Sequence, residues 1–402
     1  MTATPPESAR ADAKGDFSLI LLLAAVTAIG PFTLHLLAPA LPQISARFDV
    51  PAAWAQPMLS LSLVAMAIAN LAWGPLSDRY GRRPVLLCGL ALGAAGSALA
   101  ALAPELWVAL LGRLLQAAGG SAGMVLARAV AQDIYGSQRS AAVIGQITAV
   151  MVAAPMIAPT LSGLVVEEIG WRGIFWIAAG LCALLVVWTR AGLAETAPAG
   201  GASARIGAML QGFREIGANS AFWRYAGYAA CSLAGFYYFV GTTPYVMRDA
   251  FGEGPATYGF YFIMLSATYM LTNFLCGPIT ARLGAERTLI WGAVISFIGP
   301  LVSAGLLVMG FHQPIVLFLP GILQSFGAGL AVPNAMAGAV ASSPERAGAA
   351  SGLLGASQFL LAAATTQLGG FLDHSNAFII PGVMCLMLIA GFVCLFGLGR
   401  RV

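Results

Sequence analysis

The chain has 402 residues, of which 59% are hydrophobic and only 9% are charged, and its formal net charge is +4. Because an average soluble domain carries about a quarter charged residues, this composition excludes a soluble globular protein and indicates a chain that lies mostly in a bilayer. The six cysteines and three histidines show no metal-ligand spacing, and the cysteines lie inside apolar runs. We therefore expect no disulfide framework, no metal and no other cofactor.

Twelve apolar runs follow one another along the chain, separated by charged residues, proline or glycine. Each is long enough to cross a bilayer as a helix, which takes about 20 residues. The predicted spans are 17–39, 53–74, 84–103, 106–127, 140–165, 172–192, 222–247, 256–277, 288–310, 314–340, 348–371 and 376–398. This pattern predicts an all-α membrane protein with two six-helix bundles, at 17–192 and 222–398, a linker at 193–221 and tails at 1–16 and 399–402.

Basic residues are distributed unequally between alternate loops. Fifteen of the arginine and lysine residues lie on one side of the predicted bilayer, and three lie on the other, namely Arg47, Arg172 and Arg248. Because cytoplasmic loops hold the excess of basic residues, we expect both termini in the cytoplasm of a bacterial cell, with the chain in the inner membrane. The same asymmetry accounts for the positive net charge, so no nucleic-acid partner is expected.

A loop after the second span returns in the second half of the chain. Gly74-Pro-Leu-Ser-Asp-Arg-Tyr-Gly-Arg-Arg83 is matched by Gly277-Pro-Ile-Thr-Ala-Arg-Leu-Gly-Ala-Glu-Arg287. Duplicated bundles that rock about a central site are a known design of secondary transporters. The repeat therefore predicts two pseudo-symmetric halves.

Two segments of the first half are interpreted as parts of a conformational gate. In the loop, Gly74 and Gly81 permit a tight turn, and Asp78 can face the positive end of a neighbouring helix, whereas a merely topogenic basic loop would explain only its arginines. In the fifth span, proline and glycine bend the helix and let another approach closely, although a purely structural kink is the alternative. The candidate gate residues are Gly74, Asp78, Arg79, Gly81, Arg82, Arg83, Pro155, Pro159 and Gly163.

Several segments together resemble the major facilitator superfamily, and within it the twelve-helix drug:proton antiporters of the Bcr/CflA type, the bicyclomycin and chloramphenicol resistance exporters. They are the loop at 74–83, Ala154-Pro-Met-Ile-Ala-Pro159, Gly170-Trp-Arg-Gly-Ile-Phe175, Leu36-Leu-Ala-Pro-Ala-Leu-Pro42 and the fourth span from Gly112 to Tyr135. The resemblance implies a secondary active exporter of small amphiphilic compounds, neutral or weakly cationic, which works by alternating access and is not an enzyme. It also implies that Asp78 faces the start of the eleventh helix near Ala347.

Two ionisable residues within the spans are predicted to take part in proton coupling, His35 and Arg113. No Asp or Glu lies in the middle of a span, and His35 stands where the resembling exporters commonly carry an acid. Histidine titrates near neutral pH, and an ionisable residue within a span is a functional candidate, although a neutral His35 bonded to a neighbouring carbonyl is the alternative. By resemblance, Arg113 is the fourth-helix arginine implicated in coupling. Its depth in the span argues against the alternative, a side chain that snorkels to water.

Aromatic and neutral polar residues within the spans predict the substrate pocket. Tyrosine rings supply stacking area and a few hydrogen bonds, which suits a permissive apolar pocket, although some rings must face lipid. The candidate substrate-binding residues are Gln116, Tyr237, Tyr238, Tyr261, Tyr269, Asn273, Asn334 and Gln358. The expected partners are a small-molecule substrate, protons and the lipid bilayer, and the chain is expected to act as a monomer. The missing carboxylate leaves a proton-independent metabolite or sugar facilitator as the alternative function.

Overall fold

The computed structural model describes residues 7–197 and 206–397, which form helices joined by short turns. We number the long helices in chain order: α1 Glu7–Leu37, α2 Pro57–Tyr80, α3 Arg82–Leu102, α4 Leu106–Gly136, α5 Ala142–Ile169, α6 Trp171–Gly192, α7 Ser220–Asp249, α8 Pro255–Leu283, α9 Ala285–Val308, α10 Ile315–Ala341, α11 Ala347–Gly369 and α12 Ile379–Gly397. Shorter helices lie at Leu41–Arg47, Ala52–Ala55 and Ile206–Gly217. The all-α, twelve-helix architecture is confirmed.

The bounds of the predicted tails, bundles and linker stay a prediction, and the structure adds two details to them. Helix α1 begins at Glu7, inside the predicted tail at 1–16. The predicted linker at 193–221 contains the helix Ile206–Gly217. The C-terminal tail at 399–402 lies outside the described residues.

Helix α7 differs from the other long helices in its polarity. In the described part of the chain, eleven helices are long and apolar enough to cross a membrane, and α7 does not reach that hydropathy although it has 30 residues. Its tyrosines, threonines and glycines are mostly buried, among them Tyr228, Tyr238 and Tyr245. Because α7 packs against α10, α11 and α12, other helices rather than lipid surround much of it.

The internal repeat is visible in the backbone. The turn between α2 and α3 is made by Gly81, with φ 96° and ψ 151°, and the turn between α8 and α9 is made by Gly284, with φ 85° and ψ 152°. A positive φ favours glycine because a Cβ would be strained there. The two copies of the loop motif therefore build the same turn, as the repeat in the sequence predicts.

Glycines also place neighbouring helices in direct backbone contact, again in both halves. A Cβ on Gly119 of α4 would lie 2.3 Å from the carbonyl oxygen of Gly89 in α3, and a Cβ on Gly327 of α10 would lie 2.2 Å from the backbone nitrogen of Ser296 in α9. The same helix pairs bring Gly96 against Gln116 and Gly299 against Gln324. Since lipid offers helices no hydrophobic drive to associate, such small-residue contacts hold each half together.

The two halves meet through hydrogen bonds at one end of the bundle, which we call the sealed end and which carries residues 41–60, 160–167, 245–259 and 366–374. These bonds, 2.7 to 3.2 Å long, join Tyr245 to Leu41, Arg248 to Pro42, Gln56 to Thr366, Ser60 to Gln367, Gln367 to Ala53 and Thr160 to Gly259. The opposite end, which carries Asp78 and Arg346, we call the Asp78 end. The bundle is therefore closed at the sealed end.

We expect Gly119→Ala to destabilise the folded chain, because the added methyl group overlaps the backbone of α3 and overpacking typically costs about 1–3 kcal/mol. The measurement is the thermal unfolding temperature of the purified protein in detergent. Gly180→Ala is the matched control, since a Cβ there meets nothing within 4 Å. Equal unfolding temperatures for the two variants would show that the α3–α4 contact does not limit stability.

Candidate functional site

His35 lies in α1 with only 2% of its surface exposed. Its Nδ1 is 2.8 Å from the carbonyl oxygen of Pro31, one helical turn earlier. Because a carbonyl oxygen only accepts, Nδ1 carries the hydrogen, and Nε2 of the neutral ring is left with a free lone pair. Nε2 is buried and has no hydrogen-bond partner among the described residues. The carbonyl bond expected for a structural histidine is thus present, and a second, open position remains on the ring.

Aromatic rings from the second half surround the imidazole. The ring centroids of Phe236 and Tyr237 in α7 lie 5.7 and 5.8 Å from that of His35, and the centroid of Phe262 in α8 lies at 6.2 Å. Rings at such distances contact one another through their faces and edges. His35 is therefore held where the first half meets the second.

Arg113 is buried in α4, with 1% of its surface exposed. Its Nε donates to the carbonyl oxygen of Met58 in α2 at 3.3 Å, and its Nη1 donates to the side chain of Gln116. Its Nη2 is buried with no hydrogen-bond partner among the described residues. A guanidinium inside a membrane protein is costly unless it is bonded, so the open donor makes Arg113 a candidate functional residue.

Tyr237 connects these groups to the second half. Its phenol lies within electrostatic range of the Arg113 guanidinium and of the phenol of Tyr269 in α8. Tyr269 in turn hydrogen-bonds the side chain of Asn273, whose Nδ2 also donates to the Tyr269 carbonyl at 2.8 Å. A line of polar side chains therefore crosses from α4 through α7 to α8. We call His35, Arg113, Gln116, Tyr237, Tyr269 and Asn273 the central cluster.

The other four predicted substrate residues lie elsewhere. The hydroxyl of Tyr238 donates to the carbonyl oxygen of Ile379 at 2.9 Å, so this tyrosine ties α7 to α12. Tyr261 stacks on Phe318, with 5.0 Å between ring centroids. Asn334 bonds Thr280 and the carbonyl of Leu330, and Gln358 is buried on α11. The assignment of these four to the pocket stays a prediction, and for Tyr238 the hydrogen bond to α12 favours a packing role.

Three contacts of the cluster were missed as site residues. Phe236 and Phe262 belong to the aromatic-rich seventh and eighth spans, so their composition was a signal, but the sequence does not tell which rings face inward. The contact between Arg113 and the carbonyl of Met58 could not be predicted from the sequence, because every residue type has a backbone carbonyl.

The predicted gate loop forms a network at the Asp78 end. Arg82 donates to Asp78, to the hydroxyl of Ser77 at 2.7 Å and to Asp133 in α4 at 3.1 Å. Asp78 is therefore bonded to its own loop in this structure, and the contact with the start of α11 stays a prediction. Gly74 does not form the turn, since it lies inside α2, which runs to Tyr80. Gly81 alone makes the turn.

The segment after α6 is fastened to the same loop through Glu195. Its carboxylate accepts hydrogen bonds from the backbone amides of Arg82 at 2.8 Å and Arg83 at 3.3 Å, the first residues of α3. Partial burial opposes ionisation, but these amides, with those of Thr196 and Ala197, lower the pKa of the Glu195 carboxyl. An anion at a helix start is favoured by the helix dipole. Arg83 adds a bond to the carbonyl of Arg190 at 2.7 Å, while Arg79 lies over the ring of Tyr80.

The gate residues of α5 lie where the halves meet. A Cβ on Gly163 would lie 2.4 Å from the carbonyl oxygen of Pro255 at the start of α8, and a Cβ on Gly259 would lie 2.7 Å from that of Pro159. Glycine therefore permits a close approach of α5 and α8, whereas the sequence predicted a close approach without naming the second helix. The side chain of Pro155 lies outside the described residues.

Relatives share most of the chain's length. An uncharacterized MFS-type transporter, YdgK of Bacillus subtilis, is 28% identical over 393 residues, which are 96% of this chain and 97% of that protein. A bicyclomycin resistance protein homolog of Haemophilus influenzae is 27% identical, covering 87% and 88% of the two chains. Multidrug resistance protein D of Escherichia coli is 26% identical, covering 96% of each.

Solved structures share the fold at lower identity. A D-xylose-proton symporter superposes with a TM-score of 0.76 at 14% identity, covering 94% of this chain and 97% of that one. The xylose transporter XylE from E. coli, in a partially occluded inward open conformation, gives 0.73 at 12% identity, covering 94% and 96%. The family profile of the Major Facilitator Superfamily matches residues 21–252 and 226–401. The chain therefore belongs to the major facilitator superfamily and is a multi-pass membrane transporter, not an enzyme.

Proposed function

We propose that the chain is a secondary active exporter, a drug:proton antiporter for small amphiphilic compounds. The observation that carries this proposal is the central cluster, in which an open acceptor on His35 and an open donor on Arg113 lie beside aromatic rings at the junction of the two halves. Relatives named for bicyclomycin and multidrug resistance support export rather than uptake. The chain acts as a monomer, since each half contributes to one site.

The composition of the cluster indicates the class of substrate. Phe236, Tyr237 and Phe262 offer apolar ring surface, and only a few polar atoms are available for hydrogen bonds. The one fixed charge in the cluster is the guanidinium of Arg113, which disfavours a strongly cationic ligand. A neutral compound, or a weak base that enters in its neutral form, fits these surroundings best.

The orientation of the chain in the membrane follows from the basic residues of its loops. The excess of basic residues lies at the Asp78 end, so this end faces the cytoplasm and the sealed end faces the periplasm of a bacterial inner membrane, with both termini cytoplasmic. The closed bonds at the sealed end then correspond to a state that is shut toward the periplasm. In alternating access, these bonds break as the gate network around Asp78 and the α5–α8 contact at Pro159 and Gly163 rearrange.

Proton coupling is placed at His35 and Arg113. Tyr237 lies against the His35 ring and interacts with the Arg113 guanidinium, so a proton that reaches Nε2 of His35 adds a second cation to the same cluster. Repulsion between like charges then raises the cost of holding both. A substrate that occupies the same space keeps the proton out. Proton and substrate therefore compete, which is the requirement for exchange transport. The alternative, a facilitator without coupling, is favoured only by the lack of a carboxylate in the cluster.

One prediction concerns ligand binding. Tyr237→Phe should weaken the binding of small amphiphilic antibiotics about three- to tenfold, the value of one hydrogen bond of ~0.5–1.5 kcal/mol. Tyr238→Phe is the matched control on the next residue, and it should leave ligand affinity unchanged because its hydroxyl bonds Ile379. Dissociation constants of the purified variants in detergent measure both. Equal losses in the two variants would remove Tyr237 from the pocket.

Another concerns coupling. His35→Gln should abolish accumulation driven by a pH gradient while preserving downhill exchange, because glutamine cannot take up a proton at this position. His35→Asp should restore part of the coupling by supplying a titratable group. Both are measured as substrate uptake into inverted vesicles with and without an imposed gradient. Normal dependence on the gradient in His35→Gln would exclude His35 as the proton carrier.

A third concerns the gate loop. Asp78→Asn should reduce transport several-fold without lowering the amount of inserted protein, because the ion pair with Arg82 is lost from the gate. Glu345→Gln serves as the control, since it removes an exposed carboxylate near the same end of the bundle. Full transport by Asp78→Asn would show that this carboxylate has no part in the conformational cycle.

A further inference from the structure

His374 is a buried titratable residue that the central cluster does not use. It lies in the turn between α11 and α12 at the sealed end, with 8% of its surface exposed. Its Nε2 is 2.9 Å from the carbonyl oxygen of Gly369, the last residue of α11. Because a carbonyl only accepts, Nε2 carries the hydrogen of the neutral ring, and Nδ1 is the position open to a second proton.

The ring of His374 supports the residues that close the sealed end. It stacks on Tyr245 of α7, with 4.9 Å between the centroids and 26° between the planes. The Tyr245 hydroxyl donates to the carbonyl oxygen of Leu41 at 3.2 Å, and Arg248, one turn further along α7, donates to that of Pro42 at 3.2 Å. Both acceptors belong to the first half. His374 therefore packs against Tyr245, the side chain that bonds the second half to the first.

The charges around the imidazole come from α7 and from its own turn. Arg248 lies over the ring of Tyr245 at 5.6 Å and is paired with Asp249, and Asp373 is bonded to Ser375. In the first half, Tyr245 and Arg248 contact the backbone carbonyls of Leu41 and Pro42, and Tyr245 also contacts the Ser45 hydroxyl. His312, on the turn between α9 and α10, lines a separate cavity of about 220 Å³ together with Ser375.

These surroundings favour the neutral ring while the sealed end is closed. Burial lowers the pKa of His374 below its usual 6.5, and Arg248 lowers it further, whereas the bond to Gly369 and the charges of Asp249 and Asp373 act in the opposite direction. A protonated ring would stack on Tyr245, over whose ring the Arg248 guanidinium already lies. Once the sealed end opens and water reaches the imidazole, the usual affinity for a proton returns.

We propose that His374 is a proton-binding site of the sealed end, and that a proton taken up at Nδ1 displaces the ring from Tyr245 and releases the bonds to Leu41 and Pro42. Protonation favours opening, because the imidazole has the higher affinity for a proton in the open state and the proton therefore stabilises that state. The closed state is fully favoured above a pH of about 6.5 and loses that advantage as the pH falls below it. In the proposed orientation the sealed end faces the periplasm, so the proton comes from that side.

The test follows the opening of the sealed end directly. Spin labels on Ala46→Cys in the first half and Phe371→Cys in the second, in a chain whose six native cysteines are replaced by serine, report the distance between the halves in lipid nanodiscs. Lowering the pH from about 7.5 to about 5.5 should shift the population toward the longer distance, by at most about tenfold per pH unit for one proton.

The variants separate His374 from other titrating groups. His374→Gln keeps a donor for the Gly369 carbonyl and His374→Phe keeps the ring stack, and neither can take up the proton, so both should lose the pH-dependent shift. His312→Gln, the control at the same end, should retain it. A shift that persists in both His374 variants, that disappears in His312→Gln, or that is missing from the parent chain would overturn the proposal.

We expect the His35→Gln variant to retain the pH-dependent shift. That result would separate the site at His374 from the proposed proton coupling at the central cluster. If transport proves independent of a pH gradient while the shift still requires His374, the proposed antiport fails and the proton-binding site stands. If transport is coupled to the pH gradient but the shift does not require His374, the proposed antiport stands and the proton-binding site fails.

Discussion

Direct contact between glycine backbones is the constraint on which the rest of the structure depends. Lipid does not drive helices together as water does, so α3 and α4 gain their contact from close packing. A Cβ on Gly112 would lie 2.5 Å from the backbone nitrogen of Ala100, and one on Gly96 would lie 2.5 Å from that of Gln116. The crossing therefore fixes the height and rotation of α4 at the very residues that carry Arg113 and Gln116.

From that fixed position, α4 places the guanidinium of Arg113 in the interior, where no carboxylate of the described residues neutralises it. Its bonds to Met58 and Gln116 satisfy part of it, and Tyr237 of the second half interacts with it electrostatically. Each buried polar group without a partner costs several kcal/mol in a membrane interior. The central cluster thus joins two well-packed halves through a region that is less fully bonded. In the part of the chain that the structure describes, the hydrogen bonds between the halves lie at the sealed end.

The sequence was sufficient for the spans, the repeat and the burial of His35 and Arg113 inside the bundle, because apolar length, duplicated motifs and charges inside a span are local features. It could not decide among the tyrosines. Tyr237 and Tyr238 are adjacent and identical, yet one contacts His35 and the other bonds Ile379, a difference set by the rotation of α7 against its neighbours. The loop motif also suggested Gly74 as a turn residue, although the helix continues past it to Tyr80. The residue at which a helix ends depends on tertiary packing, which cannot be read from amino-acid composition.

The polarity of α7 has a consequence for how the chain is made. A segment with so many tyrosines, threonines and glycines gains little by partitioning into lipid alone, and insertion of a span depends on its own apolar content. During synthesis α7 therefore needs later helices, α11 and α12 among them, to shield it before it settles in the bilayer. Assembly of the second half must then be cooperative, and truncation of the chain before α11 would leave a helix with no stable place in the membrane.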